Sequence, residues 1–120
     1  MTDELIALLK TLGFPVMRQG SLAPDQAYPP TFLTFWGSED DSSFYDNDSA
    51  SAVYSFSVYV YSNEPSTAYA TLDAARWLLK RNGWTITSRA FDVQSDEITH
   101  IGRGMLVAYL KPEEITQQEV

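Results

Sequence analysis

The chain has 120 residues, 44% hydrophobic and 13% aromatic, with a formal net charge of −8 and no cysteine. That size and composition fit one domain with its own core, and the missing cysteine excludes a disulfide framework, a thiol nucleophile and a Cys-ligated metal. A single histidine, His100, excludes a multi-histidine metal site within one subunit, and sixteen acids against eight scattered bases argue against a protein that tracks a phosphate backbone.

The opening Thr2-Asp3-Glu4 lacks the basic start and apolar run of a signal peptide. No apolar run approaches the roughly 20 residues of a membrane span, so the expectation is a soluble protein made in the cytoplasm. Thr2 is the expected cap of a first helix, with Asp3 and Glu4 in its first turn, an apolar stripe of Leu5, Ile6, Leu8, Leu9 and Leu12, and a stop at Gly13. Phe14 to Met17 reads as a short strand that Pro15 places at a sheet edge. Gly20 to Pro30 is a polar connection closed by Tyr28-Pro29-Pro30, and Phe32 to Trp36 is the second strand.

Gly37 to Ser51 (GSEDDSSFYDNDSAS) then forms a long acidic connection with no Lys or Arg. Its five acids are Glu39, Asp40, Asp41, Asp46 and Asp48; without them the charge would be −3 (−8 less −5). Loops of this length are uncommon in compact domains and are usually functional. Phe44-Tyr45 at its centre adds an apolar pair that a solvated loop has no use for. The segment reads as a contact arm.

Ala52 to Ser62 alternates as a strand, with Tyr54, Phe56, Val58 and Val60 on the expected core face and Val53, Ser55, Ser57, Tyr59 and Tyr61 on the other. The tyrosine strip fits either ordinary exposed strand residues or a subunit interface. A second helix is expected over Ser66 to Asn82, burying Ala68, Leu72, Ala75 and Leu79 with Trp77 and Leu78 flanking; Lys80-Arg81 complement its dipole, Asp73 and Arg76 form a weak surface pair, and Asn82-Gly83 is its stop. Trp84 to Thr87 is a fourth strand that extends in one reading through Asp92, Gln94 to Glu97 is a turn, and His100 to Leu110 is the last strand. Gly102 and Gly104 there point to a bulge or a close backbone approach. The order is α-β-β-β-α-β-β. It predicts an α+β domain over residues 1–110, an antiparallel sheet of about five strands with two helices on one face, and a polar tail over 111–120.

Asp46-Asn47-Asp48 resembles the start of a calcium loop but lacks the sixth-position glycine and the closing glutamate. Asp92, Asp96, Glu97 and His100 are the one cluster with acid–base potential, and no nucleophile or second histidine supports it. The expected partner of Glu97 is Arg103 or Arg89. Arg103 itself reads either as a surface arginine at a bulge or as half of an ion pair across a subunit interface. Neither a catalytic nor a metal residue is assigned, and no cofactor is expected.

The opening TDELIALLKTLGFPVMRQGSLAP, the YPPTFLTFW strand, the acidic SFYDND loop and the closing SDEITHIGRG resemble small structural proteins of prophages and long-tailed bacteriophages of Gram-positive hosts. They are similar to tail-terminator or tail-completion (head–tail joining) proteins, over residues 1 to about 110. Ser43 to Asp48 matches that family's loop and Thr99 to Gly104 the lead into its last strand. The resemblance implies a non-enzymatic virion protein whose copies form a ring of about six subunits on the finished tail tube. Its partners would be itself, the tail-tube protein and the head connector, with no nucleic-acid sequence recognition and no membrane. Candidate interface residues are Asp40, Asp41, Phe44, Tyr45, Asp46, Asp48, Tyr59, Tyr61 and Arg103. The rival readings are an acidic adaptor module for a cellular partner and a small enzyme using Asp92, Asp96 or His100.

Overall fold

The computed structural model describes residues 1–21, 27–37, 43–44 and 51–112. Helix α1 spans Thr2–Lys10 and buries Leu5 and Leu9, one turn apart, on its inner side. Met1 takes the cap position expected of Thr2: the Leu5 N–H donates to the Met1 carbonyl at 3.0 Å, and the Met1 amino group sits 3.2 Å from the Glu4 carboxylate. Helix α2 spans Pro65–Arg81, one residue earlier at each end than expected, with Pro65 in the first turn where its missing N–H costs nothing. No helix among the described residues is long and apolar enough to cross a membrane.

The strands are β1 Val16–Arg18, β2 Thr31–Gly37, β3 Ser43–Phe44, β4 Ser51–Ser62, β5 Thr85–Ile86, β6 Phe91–Val93 and β7 Ile101–Pro112. They form one mixed sheet ordered β1-β2-β4-β7-β5, with β3 beside β4 and β6 beside β7. The protein is therefore α+β as expected, but the sheet is not wholly antiparallel: β1 lies parallel to β2, with Val16 opposite Leu33. Parallel neighbours need a connection of roughly a dozen residues, and residues 19–30 supply it. Two further differences raise the strand count. Ser43–Phe44 inside the acidic connection pairs with Val53 and Ala52, and the stretch after Trp84 divides into β5 and β6. The division follows from Ser88, whose side-chain oxygen accepts the Leu106 N–H at 2.9 Å and so takes the place of a backbone partner.

The helices and the sheet share one core. Leu33 and Phe35 of β2, Phe56, Val58 and Val60 of β4, and Met105 and Val107 of β7 meet Leu5, Leu9, Ala68, Leu72, Ala75 and Leu79 of the helices. Among the described residues, the opposite face of the sheet carries no helix. Removing most of a fully buried leucine costs about 2–5 kcal/mol in lost transfer energy and cavity formation. Leu79→Ala, at a position with no exposed surface, is expected to lower unfolding free energy by that amount in a urea titration, whereas Leu110→Ala, half-exposed on the helix-free face, changes it by less than about 1 kcal/mol.

Candidate functional site

On the helix-free face the tyrosine strip and the paired glycines prove to be one feature. Tyr59 stands opposite Gly104 and Tyr61 opposite Gly102, in a ladder that runs without a bulge from Ser51–Pro112 to Ser62–Ile101. The tyrosine rings lie across the glycines. A Cβ on Gly104 would come 2.6 Å from Tyr59 Cδ1 and 2.9 Å from Phe91, and one on Gly102 would come 2.8 Å from Tyr61 Cε1. Tyr61 also stacks on Phe32, with ring centres 5.3 Å apart, and is only 6% exposed. Of the two candidate interface tyrosines, Tyr61 is thus enclosed by its own chain and Tyr59 is half-buried.

His100 belongs to the same layer. Its Nε2 lies 2.8 Å from the Pro29 carbonyl, which can only accept, so Nε2 carries the proton and Nδ1 accepts from the Thr99 hydroxyl at 2.9 Å. Tyr28 meets its ring edge-on at 5.3 Å. The imidazole fastens the Tyr28-Pro29-Pro30 segment to the start of β7, and both ring nitrogens are spent on that task. The candidate acid–base cluster is not assembled around it: Asp92 pairs with Arg103, and Asp96 borders a separate cavity of about 110 Å³ shared with Gln19, Tyr28 and Tyr61. Among the described residues no three metal-ligating side chains come together.

Arg103 points to the helix face. Its Nη1 is 2.7 Å from Asp92 Oδ1, its direct cross-strand neighbour, and not from Glu97, for which Arg103 or Arg89 was the expected partner. Its guanidinium lies 4.7 Å over the Tyr69 ring, and its Nε is buried without an acceptor. It closes one end of an apolar cleft of about 170 Å³, lined by Tyr69, Leu72, Ile86 and Met105 between α2 and the edge segment 86–90. Asp40, Asp41, Tyr45, Asp46 and Asp48 lie outside the described residues, and of Phe44 only the backbone in β3 is described.

The cleft opens into a larger groove of about 840 Å³ between α2 and residues 84–90, and sequence reasoning did not find it. Arg76, Lys80 and Arg89 border it, with Asp73 the one acid among its lining residues. Trp77 is 47% exposed beside it, not packed along the buried stripe, and holds Arg76 at 5.3 Å and Lys80 at 4.9 Å from its ring centre. Such cation–aromatic contacts are worth about 0.5–1 kcal/mol each at exposed sites. They keep both cations at the groove's rim. The signal was present in the sequence: Trp77 is two positions from both Ala75 and Leu79, which on a helix turns it to the far side.

Burial pushes the Tyr61 phenol above its ordinary value of 10.0; the Gln19 amide, donating to the phenol oxygen at 3.4 Å, opposes this, and Tyr59, Asp96 and Tyr28 add to it. Burial and the Asp96 and Glu97 carboxylates raise Tyr28 likewise. In each case the unfolded chain ionises first, so the stability these phenols contribute is whole below pH 10.0 and is lost as pH rises through the folded value. Each can steepen the decline by at most about 1.4 kcal/mol per pH unit. Tyr61→Phe is expected to unfold like the parent near neutrality and to show a shallower loss of stability above pH 10, read by urea titrations at stepped pH. A second measurement tests the ring-over-glycine packing. Gly104→Ala is expected to cost about 1–3 kcal/mol, and Tyr59→Ala in the same chain to recover part of that loss, a non-additivity that independent sites would not show. No protein-family model matches this chain, and no curated protein matches it.

Proposed function

We propose that the chain is a non-enzymatic structural protein of phage tail assembly, a terminator or completion protein. Its copies would form a ring at the head-proximal end of the tail and join it to the head connector. The observation that carries the reading is the presence of two unlike contact surfaces at separate places on one small body. The helix-free face presents Trp36, Leu106 and Leu110 as large exposed apolar side chains, while the cation-rich groove lies at the β5–β6 edge. Exposed apolar side chains gathered on one face mark contact with other proteins. Two different surfaces on one chain favour head-to-tail association, which closes into a ring when the rotation between copies closes. The resemblance of the SFYDND and SDEITHIGRG segments to tail-terminator proteins supplies the station in the particle, and the charge of −8 would keep free copies apart until a tube end is available.

Electron microscopy of the purified protein, alone and mixed with isolated tail tubes, tests this reading. Rings on the head-proximal ends of tubes are the expected result, with Leu106→Ser and Leu110→Ser reducing the fraction of capped ends. Tubes whose ends stay bare at saturating protein would remove the terminator role.

A further inference from the structure

We infer that the groove between α2 and residues 84–90 is the receptor for the acidic 37–51 arm of a second copy of this chain. The described residues carry eight bases and seven acids, so the folded body is near neutral and the other nine acids lie in the segments outside it. Five of those nine are in the arm. On the body, Arg76, Lys80 and Arg89 gather at one groove with Asp73 as the acid among them. The chain thus holds an anionic segment and a cationic groove that complement each other.

The complementarity extends to apolar groups. The arm's Phe44-Tyr45 lies between its acidic clusters, Glu39-Asp40-Asp41 before and Asp46 and Asp48 after. The groove likewise adjoins an apolar cleft of about 170 Å³, lined by Leu72, Ile86 and Met105 and closed by the Arg103 guanidinium. Cavities of roughly 150 Å³ accept a benzene-sized group. One aromatic side chain of the arm therefore fits the cleft, with the buried, unpartnered Arg103 Nε nearby to meet a phenol or carbonyl oxygen.

The order of the strands points to another molecule as the donor. Strand β3 fixes the connection beside Val53 and Ala52, on the edge of β4 away from β7, at the end of the ribbon where Ser51 faces Pro112. The groove is on the far edge, level with Leu106 of β7. Gly37, where the arm leaves β2, is level with Val107 through Phe56, as is Ile86 of the groove, so what separates the two is the width of the sheet: β4 and β7 lie between the edges, about 14 Å at roughly 4.8 Å per strand step.

The inference depends on the self-association in the reading above, not on the station in the particle. A fluorescein-labelled peptide of residues 37–51 is titrated with the full-length protein and followed by anisotropy. Saturable binding is expected that weakens about tenfold or more between about 50 mM and about 500 mM salt. Lys80→Glu with Arg89→Glu in the protein should weaken it by a similar factor. Both positions are exposed, and an unchanged melting curve shows that the variant is folded. A peptide with Ser in place of Phe44 and Tyr45 should also bind more weakly, separating the cleft from the charge. Peptide binding that is absent, or equal for the charge-reversed protein, overturns the inference. So does binding that appears only after the protein's own arm is deleted, since the groove then serves its own chain. An oligonucleotide that occupies the groove and resists displacement by the peptide overturns it too. The two readings fail separately: peptide binding without capped tails would remove the terminator role alone, and capping by the charge-reversed protein would remove the arm-in-groove contact alone.

Discussion

The ladder between β4 and β7 runs unbroken from Ser51 opposite Pro112 to Ser62 opposite Ile101, and every strand except β1 pairs directly with one of its two members. Strand side chains alternate with a period of two, so a slip of one residue would exchange the two faces of the sheet. In the observed register Val58 and Met105 stand together under the helices, while Tyr59 and Gly104 stand together on the other side. A slip would push tyrosines into the helix-covered core and expose valines. The tyrosine–glycine pairs enforce the register a second time, because each ring needs a glycine opposite. Two separate constraints thus select one pairing, and the groove inherits its geometry from it: Arg103 meets Asp92 and Tyr69 only when Gly102 and Gly104 face the rings.

What the sequence made legible was set by periodicity. The core face of β4 (Phe56, Val58, Val60) and the buried stripe of α2 (Ala68, Leu72, Ala75, Leu79) were readable because one side of each element must meet the core. The parallel pairing of β1 was not, since the chain between Arg18 and Thr31 carries no regular pattern that reveals its return path. The bulge expected at Gly102 and Gly104 was the wrong alternative of two, because a close approach depends on what stands opposite, and that is a long-range fact. Trp77 was placed flanking the buried stripe, although its angular position on the helix contradicted it. Arg89 and Lys80 could not be joined from sequence at all, because the turn after Gly83 is what brings residues 84–90 beside α2.

The candidate residues divide according to the work they already do. Tyr61 and His100 are satisfied inside the chain, the first by Phe32, Gln19 and Gly102, the second by Pro29 and Thr99. Arg103 spends one nitrogen on Asp92 and one face on Tyr69, which leaves Nε as the atom still seeking an acceptor. Among the described residues, Trp36, Leu106 and Leu110 have no such internal role to explain their exposure. Side chains whose polar and apolar needs are met at home have less to gain from a partner, so interface energy concentrates on those whose needs are not.

The sheet edges show why association would fall to side chains rather than to strand pairing. An exposed, long, flat edge strand invites indiscriminate pairing with other chains. Here one edge is the three-residue β1 preceded by Pro15, and the other is divided into the two-residue β5 and the three-residue β6. Between those two, Ser88 and Thr87 occupy the backbone groups of Leu106. Among the described residues, none of these short edge strands offers a long uninterrupted ladder to a passing strand. The groove lies just behind the divided edge, where Arg76, Lys80 and Arg89 favour an acidic segment and repel a basic one. Charge attraction of this kind is screened within about 10 Å at ordinary salt, so it selects a partner only after close approach. The repulsion between chains of net charge −8 is screened over the same distance. Attraction and repulsion therefore act over the same short range, and the placement of Arg76, Lys80 and Arg89 at the groove, rather than the net charge, discriminates between segments that come near this edge.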